Sequence, residues 1–251
     1  MTIQYASDLH LEFAQNKEYI KKNPIRPLGD ILILAGDIMP MQLVEQHADF
    51  WDYVASHFEA TYWLPGNHEY YGNDISERMG SFCIDIRPNV HLVNNHLVVI
   101  ENTQFIFSTL WSRISVENQW YVQQTMNDFH TIRDQGARLS AARYNQLHSE
   151  CLAYITQQLE NAAAAKTVVA THHIPTLMNY PEQYRGDALN EAFASEQYEL
   201  IERLQPDYWL YGHHHTNTPD FSIGNTKMLT NQLGYVQYAE HSTFRTGCVL
   251  E

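Results

Sequence analysis

Five short stretches of this 251-residue chain carry side chains that can hold metal ions. They are Asp8-Leu9-His10, Gly36-Asp37, Gly66-Asn67-His68-Glu69, Thr171-His172-His173 and Gly212-His213-His214-His215. Each closes an apolar run, at residues 3–6, 31–35, 62–64, 168–170 and 208–211. Runs this short, bounded by turn residues, read as buried strands. In open α/β sheets ligands bind outside the carboxyl ends of the strands. Five strand ends bearing Asp, Asn or His therefore point to one metal site. Singly, each residue has an ordinary reading. Asp8 and Asp37 could cap helices, Asn67 could be a turn residue, His172 a hydrogen-bonded core residue, and 213–215 an exposed polar loop. Five coincidences at strand ends outweigh these readings taken together.

The elements that must position these residues follow from periodicity. Strands are predicted at 2–6, 31–35, 62–64, 168–170 and 208–211. Gly36 lets another group approach the backbone just before Asp37. Segment 13–27 reads as a short helix or loop, ending in a turn at Pro27-Leu28-Gly29-Asp30. Val44, Ala48, Trp51, Val54, Ala55 and Phe58 recur at helical spacing, which predicts a crossover helix over 41–58. A second amphipathic helix is predicted over 73–86, then short strands at 91–93, 97–101 and 104–109, with Asn94-Asn95 as a hairpin turn. Helices follow at 140–159, capped by Ser140, and at 195–204. Short antiparallel strands with a Gly224-Asn225 turn are predicted over 220–250. Stretches 111–139 and 175–194 have no clean period and read as lids over the site.

Composition bounds the function. Lys and Arg number 15 against 29 Asp and Glu, a formal charge of −14. That balance argues against a nucleic-acid groove or an anionic membrane surface. It does not exclude phosphorylated ligands, because metal ions can supply positive charge locally. Cys83, Cys151 and Cys248 are odd in number and outside any metal-binding spacing, as in the reduced interior of a cytoplasmic protein. No leader is expected ahead of the first strand, and no apolar run approaches the ~18 residues of a membrane span. Because the candidate ligands run from Asp8 to His215, a single domain over 1–251 is expected. Oligomeric state is left open.

The ordered set Asp-x-His, Gly-Asp, Gly-Asn-His-Glu, His, Gly-His-x-His resembles the pattern of the calcineurin-like metallophosphoesterases, over Asp8 to His215. The resemblance implies a four-layer α/β/β/α sandwich of two mixed sheets, with a dimetal site at the strand C-terminal ends. It implies that Asp8, His10 and His215 hold one ion, that Asn67, His172 and His213 hold the other, and that Asp37 bridges both. His68 would stand beside the substrate, unligated. Where the purple acid phosphatases carry Tyr three residues beyond the bridging Asp, this chain has Pro40. Where the Ser/Thr protein phosphatases continue toward Asp-Arg-Gly, it has Ile38-Met39-Pro40-Met41, so an arginine that holds phosphomonoester oxygens is missing. The nuclease branch normally adds a basic surface, which the negative charge opposes.

The chemistry also stands on the residues themselves. Two divalent ions about 3.5–4 Å apart clamp a phosphoryl group for in-line attack. A carboxylate has the lone pairs to bridge them, and a neutral imidazole does not. A donor set of His, Asp and Asn without thiolate suits Mn, Fe, Ni, Co or Zn rather than Mg or Ca. The expected activity is hydrolysis of a phosphoester, specifically a small-molecule phosphodiester, by a metal-activated water. The alternatives are a phosphomonoesterase and a non-catalytic binding protein on the same scaffold. His173 and His214 are expected to stand behind the ligands or face solvent, Glu69 to be structural, and Tyr70, Tyr71 and Trp111 to pack. Arg113 and Arg185 are candidate phosphate grips. Asn127, Asp128 and His130 are candidates for lining the lid.

Overall fold

The computed structural model describes residues 1–250. Its first sheet comprises β1 (Ile3–Ala6), β2 (Ile31–Ala35), β3 (Ala60–Leu64), β4 (Phe82–Arg87) and β5 (Val90–Asn94), ordered β1-β2-β3-β5-β4. All neighbours are parallel except β4 and β5. The chain then forms β6 (His96–Ile100), β7 (Thr103–Ser108), the small hairpin β8 (Arg133–Asp134) and β9 (Ala137–Arg138), and β10 (Lys166–Thr171). Last come β11 (Tyr208–Tyr211), β12 (Phe221–Ile223) and β13 (Thr226–Thr230). The second sheet runs β12-β13-β11-β10-β7-β6, parallel at its centre and antiparallel at both edges.

Alternation along the central strands explains the layering, because successive side chains leave a strand on opposite faces. Ile31, Ile33 and Ala35 of β2 meet Val168 and Ala170 of β10 and Leu210 of β11 between the two sheets. Leu32, Leu34 and Trp63 point the other way, onto Trp51 and Val54 of α2 (Ala48–His57), which follows α1 (Ala14–Lys22). On the far side, Val169, Trp209 and Met228 pack under a long helix carrying Ile155 and Leu159. The result is the expected four-layer sandwich. Both faces of each central strand are buried, which is why these strands are apolar throughout.

Several local expectations change. Residues 73–86 are not a helix: a single 3₁₀ turn, Ile75–Glu77, leads into β4. Asn94-Asn95 closes no hairpin, because β5 and β6 lie in different sheets; Asn95, at φ +42°, carries the chain across. The 41–58 helix begins as a 3₁₀ turn, Met41–His47, before α2. Stretch 111–139 is folded, with α3 (Gln119–Thr125), α4 (Asp128–Thr131) and β8–β9, and it buries Trp111, Val122, Phe129, Ile132 and Leu139. The long helix α5 (Ala141–Glu160) starts where predicted, with Ser140 Oγ accepting from Arg143 N. It is followed by α6 (Tyr198–Leu204). Beyond β13, segment 231–250 holds turns and isolated bridges instead of paired strands. No helix among the described residues is long and apolar enough to cross a membrane.

Candidate metal centre

The backbone turns sharply after β1, β2 and β11. Asp8, His10, Asp37, His213 and His215 all have φ between +48° and +83°. A side-chain-bearing residue pays roughly 1–3 kcal/mol for that region and persists there only when its surroundings hold it. The holding bonds are present. Asp8 N donates to Gly36 O at 3.0 Å and His10 N to Asp37 O at 2.9 Å. His213 N donates to Asp8 Oδ1 at 3.0 Å, His215 N to Gln232 Oε1 at 2.7 Å, and His68 N to Asp37 Oδ1 at 2.9 Å. Three glycines leave the space the ligand side chains fill. A Cβ on Gly36 would strike the His172 ring, one on Gly66 the Asp37 carboxylate, and one on Gly212 Asp8 Oδ2 at 2.5 Å.

All seven candidate ligands come together, in two groups that share Asp37. Asp8, His10, Asp37 and His215 offer donor atoms within 4.8 Å of one another, and so do Asp37, His172 and His213. His10 Nε2 and His215 Nε2 are 2.9 Å apart, and His172 Nε2 and His213 Nδ1 are 3.0 Å apart. Two nitrogens each ~2.1 Å from one ion and at right angles stand ~3.0 Å apart. Asn67 Oδ1 lies 3.2 Å from His172 Nε2. Asp37 Oδ2 lies 3.8 Å from His10 Nε2 and 3.4 Å from His172 Nε2, so one carboxylate oxygen faces both groups.

The remaining ring nitrogens are committed elsewhere. His10 Nδ1 bonds Glu12 Oε1 at 3.2 Å, His172 Nδ1 bonds Ala35 O at 3.0 Å, and His215 Nδ1 bonds Glu240 Oε2 at 2.8 Å. His213 Nε2 faces Ala192 O at 3.3 Å. Each outer partner is a carbonyl or carboxylate, so the N–H points outward and the free lone pair inward, as a metal-binding imidazole requires. The donor set fits two transition-metal ions.

Charge points the same way. Burial lowers His10 and His213, keeping them neutral and able to ligate. Burial, the largest single influence, would lower His172 and His68 as well, but the surrounding carboxylates together outweigh it and raise both. These are Asp37, Asp8 and Glu69 around His172, and Asp37, Glu12 and Asp128 around His68. The carboxylates of this centre draw positive charge to it. His68 belongs to neither of these two groups, but with His10 and Glu12 it makes a third whose donor atoms lie within 4.8 Å of one another. Its Nδ1 bonds Glu12 Oε1 at 2.8 Å, and its Nε2 faces Asp37 Oδ2 at 4.0 Å and the Tyr235 hydroxyl at 3.4 Å.

The centre opens into a cleft of about 370 Å³. Asp37, Asn67, His68, His213 and His215 line its floor, and its walls include Met126 and Asn127 on one side and Tyr180, Tyr184, Asp187, Leu189 and Asn190 on the other. A calcineurin-like phosphoesterase family model matches residues 1–217. The chain belongs to that family. It is 31% identical to an uncharacterized protein, L509, of Acanthamoeba polyphaga mimivirus, over 93% of this chain and 91% of that one. Its fold is similar to the crystal structure of phosphopantetheinyl hydrolase from Mycobacterium tuberculosis, with a TM-score of 0.71 and 14% identity over 99% of this chain and 95% of the other.

Within this calcineurin-like phosphoesterase several neighbours of the centre had no motif to announce them. Glu12 binds both His10 and His68 through one oxygen; its place two residues beyond His10 was the available signal. Tyr235 and Glu240 arrive from the terminal segment, where only tertiary contact reveals them. Asp128 is fully buried and takes Asn67 Nδ2 at 2.9 Å and the Tyr71 hydroxyl at 2.7 Å, which turns Asn67 Oδ1 inward. Tyr71 does more than pack: it stacks on His68 with ring centres 4.1 Å apart and lines the cleft. Tyr70 and Trp111 are buried. His173 bonds Tyr144 and Thr109, and His214 bonds Gln232. His130 is exposed and bonds Gln124 O. Arg113 and Arg185 are exposed, and neither lines the cleft.

Proposed function

We propose that this chain is a dinuclear metal-dependent phosphodiesterase acting on a small-molecule diester. Asp8, His10 and His215 would hold one ion, Asn67, His172 and His213 the other, and Asp37 would bridge them. Bound ions of this kind polarise phosphoryl oxygens and supply a nucleophile from water at neutral pH. His68 is the unligated group beside the reacting phosphorus, positioned by Glu12 to hand a proton to the departing alcohol. Stretches 111–139 and 175–194 act as lids of a single domain over 1–251, and reduced cysteines favour a cytoplasmic setting.

The observation that carries the diester reading is the lining of the cleft. Among the described residues no Lys or Arg lines it. A phosphomonoester near neutral pH carries close to two charges and three non-bridging oxygens, which ask for donors beyond the metals, typically Arg. A diester carries one charge and two such oxygens, which two ions satisfy. The phenols of Tyr71, Tyr180, Tyr184 and Tyr235 and the amides of Asn127 and Asn190 suit an organic group on either side of the phosphorus. The similarity of fold to a phosphopantetheinyl hydrolase is compatible with a substrate of this size.

The test is kcat/KM for bis-nitrophenyl phosphate against nitrophenyl phosphate at equal metal loading. The diester is expected to be preferred. A tenfold preference for the monoester, ~1.4 kcal/mol of transition-state stabilisation, overturns the reading. In that event Arg113→Ala and Arg185→Ala identify the arginine that closes over the site.

A further inference from the structure

The geometry points to a second, separate metal site on the β4–β5 hairpin: Cys83, Asp85 and His91 form a mononuclear site for a thiolate-binding divalent ion, Zn²⁺. The antiparallel register sets Asp85 directly opposite His91 and Cys83 opposite Val93. Residues two apart on a strand share a face, so Cys83 and Asp85 stand side by side with His91 across from them. Phe82, Ile84 and Ile86, on the opposite face of the same strand, pack into the core beneath α2. One donor atom from each of Cys83, Asp85 and His91 lies within 4.8 Å of the other two.

The site is shaped as well as grouped. His91 stacks on Tyr62 with ring centres 5.5 Å apart, and Asp85 Oδ1 sits 2.7 Å from its Nδ1. The imidazole is therefore held while Cys83 and Asp85 stay open to solvent. One sulfur, one nitrogen and one oxygen donor with room for water make a four-coordinate, zinc-like set. The dinuclear centre contains no sulfur, and Cys151 and Cys248 are buried elsewhere. Binding displaces the thiol proton and places an ion across β4 and β5. Because β4 is the outer strand of its sheet, the ion clips the hairpin where pairing is weakest.

The absence of sulfur from the catalytic centre makes the two sites spectroscopically separable. Co²⁺ is titrated into reduced full-length protein whose dinuclear centre has been filled. The expected result is a near-ultraviolet sulfur-to-cobalt charge-transfer band, lost in Cys83→Ser and weakened in His91→Ala. Phosphoesterase activity should stay unchanged in Cys83→Ser, whose position is exposed and outside the cleft. Either of two outcomes overturns the proposal: no such band at any Co²⁺ concentration that the folded protein tolerates, or a band that persists in Cys83→Ser.

Discussion

Glu69 provides the most exacting test of how the centre is held. The residue is fully buried. Its Oε1 accepts from Ile38 N at 2.7 Å and Trp63 Nε1 at 3.0 Å, and its Oε2 from Asp37 N at 2.9 Å and Gly66 N at 2.6 Å. Four N–H groups thus converge on one carboxylate, two of them from Asp37, the shared candidate ligand, and from Ile38 directly after it. Glu69→Gln keeps size and shape but replaces one oxygen with an NH₂. Whichever way the amide turns, two N–H groups then face a donor. A buried donor left unpaired costs ~1–3 kcal/mol, so the substitution should cost ~2–6 kcal/mol. Against a typical total of 5–15 kcal/mol that is a large share.

The assay is urea unfolding of chelator-stripped protein, with metal content measured separately after reconstitution. Trp63→Phe supplies the control, because it removes one of the two donors on Oε1. In the double variant the amide nitrogen can turn toward Oε1's side and meet Ile38 N alone. The double variant should therefore be less destabilised than the sum of the singles, with coupling of ~1–2 kcal/mol. If Glu69→Gln unfolds within ~1 kcal/mol of the parent and retains both ions, the reasoning about converging donors is wrong.

Three further expectations concern the same framework. Asp37→Ala should lose metal and activity together, whereas His68→Ala should keep its metal and slow alkyl esters by ~10²–10⁴-fold, with a smaller loss on nitrophenyl esters; equal losses would refute the acid role. Glu12→Ala should cost ~10–100-fold in metal affinity or activity, and Glu12→Gln less, because an amide oxygen can still accept from both imidazoles. Asp74 accepts from Ser76, Gln135 and Gly136, and the Ser76 hydroxyl leads in lowering its pKa from 3.8 to about 2. A depressed acid stabilises above its unfolded pKa and loses that contribution as pH falls through the folded one. Protection of the Gln135 and Gly136 amides, measured as exchange relative to the intrinsic rate at each pH, should therefore fall between pH 3.8 and about 2 in the parent, and already be lost at neutral pH in Asp74→Ala.

What the sequence reveals depends on how local the cause is. The central strands are legible because both faces are buried, so their residues are apolar without interruption. The candidate ligands are legible because each follows such a strand within a few residues. Residues 75, 79, 82 and 86 misled because they satisfy a helical repeat, while 82, 84 and 86 satisfy a strand repeat equally well. Register with β5 decides between the two, and register is a tertiary fact. Residues 111–139 looked structureless because their apolar side chains serve three short elements, none long enough to display a period. Glu12, Asp128, Tyr235 and Glu240 reach the centre from four separate segments, and the contacts that give them meaning exist only once both sheets have closed.

The strained candidate ligands show why this scaffold needs two sheets. Five left-handed residues together store roughly 5–15 kcal/mol, comparable to the entire net stability of an ordinary domain. No single turn could sustain that with its own hydrogen bonds, each worth ~1 kcal/mol. Here the cost is spread across the sandwich. Asp8, at the end of β1, is bonded by His213 from the end of β11, and Asp37, after β2, is bonded by His68 from beyond β3. His172, after β10, is anchored on Ala35 of β2. Asp8 and His172 are thus each held by backbone from the opposite sheet, and Asp37 by backbone from its own. The apolar layer between the sheets, with Ile33, Leu64, Val168 and Leu210 at its heart, stabilises the centre from beneath. Core packing and metal-site geometry are therefore one cooperative property of this chain.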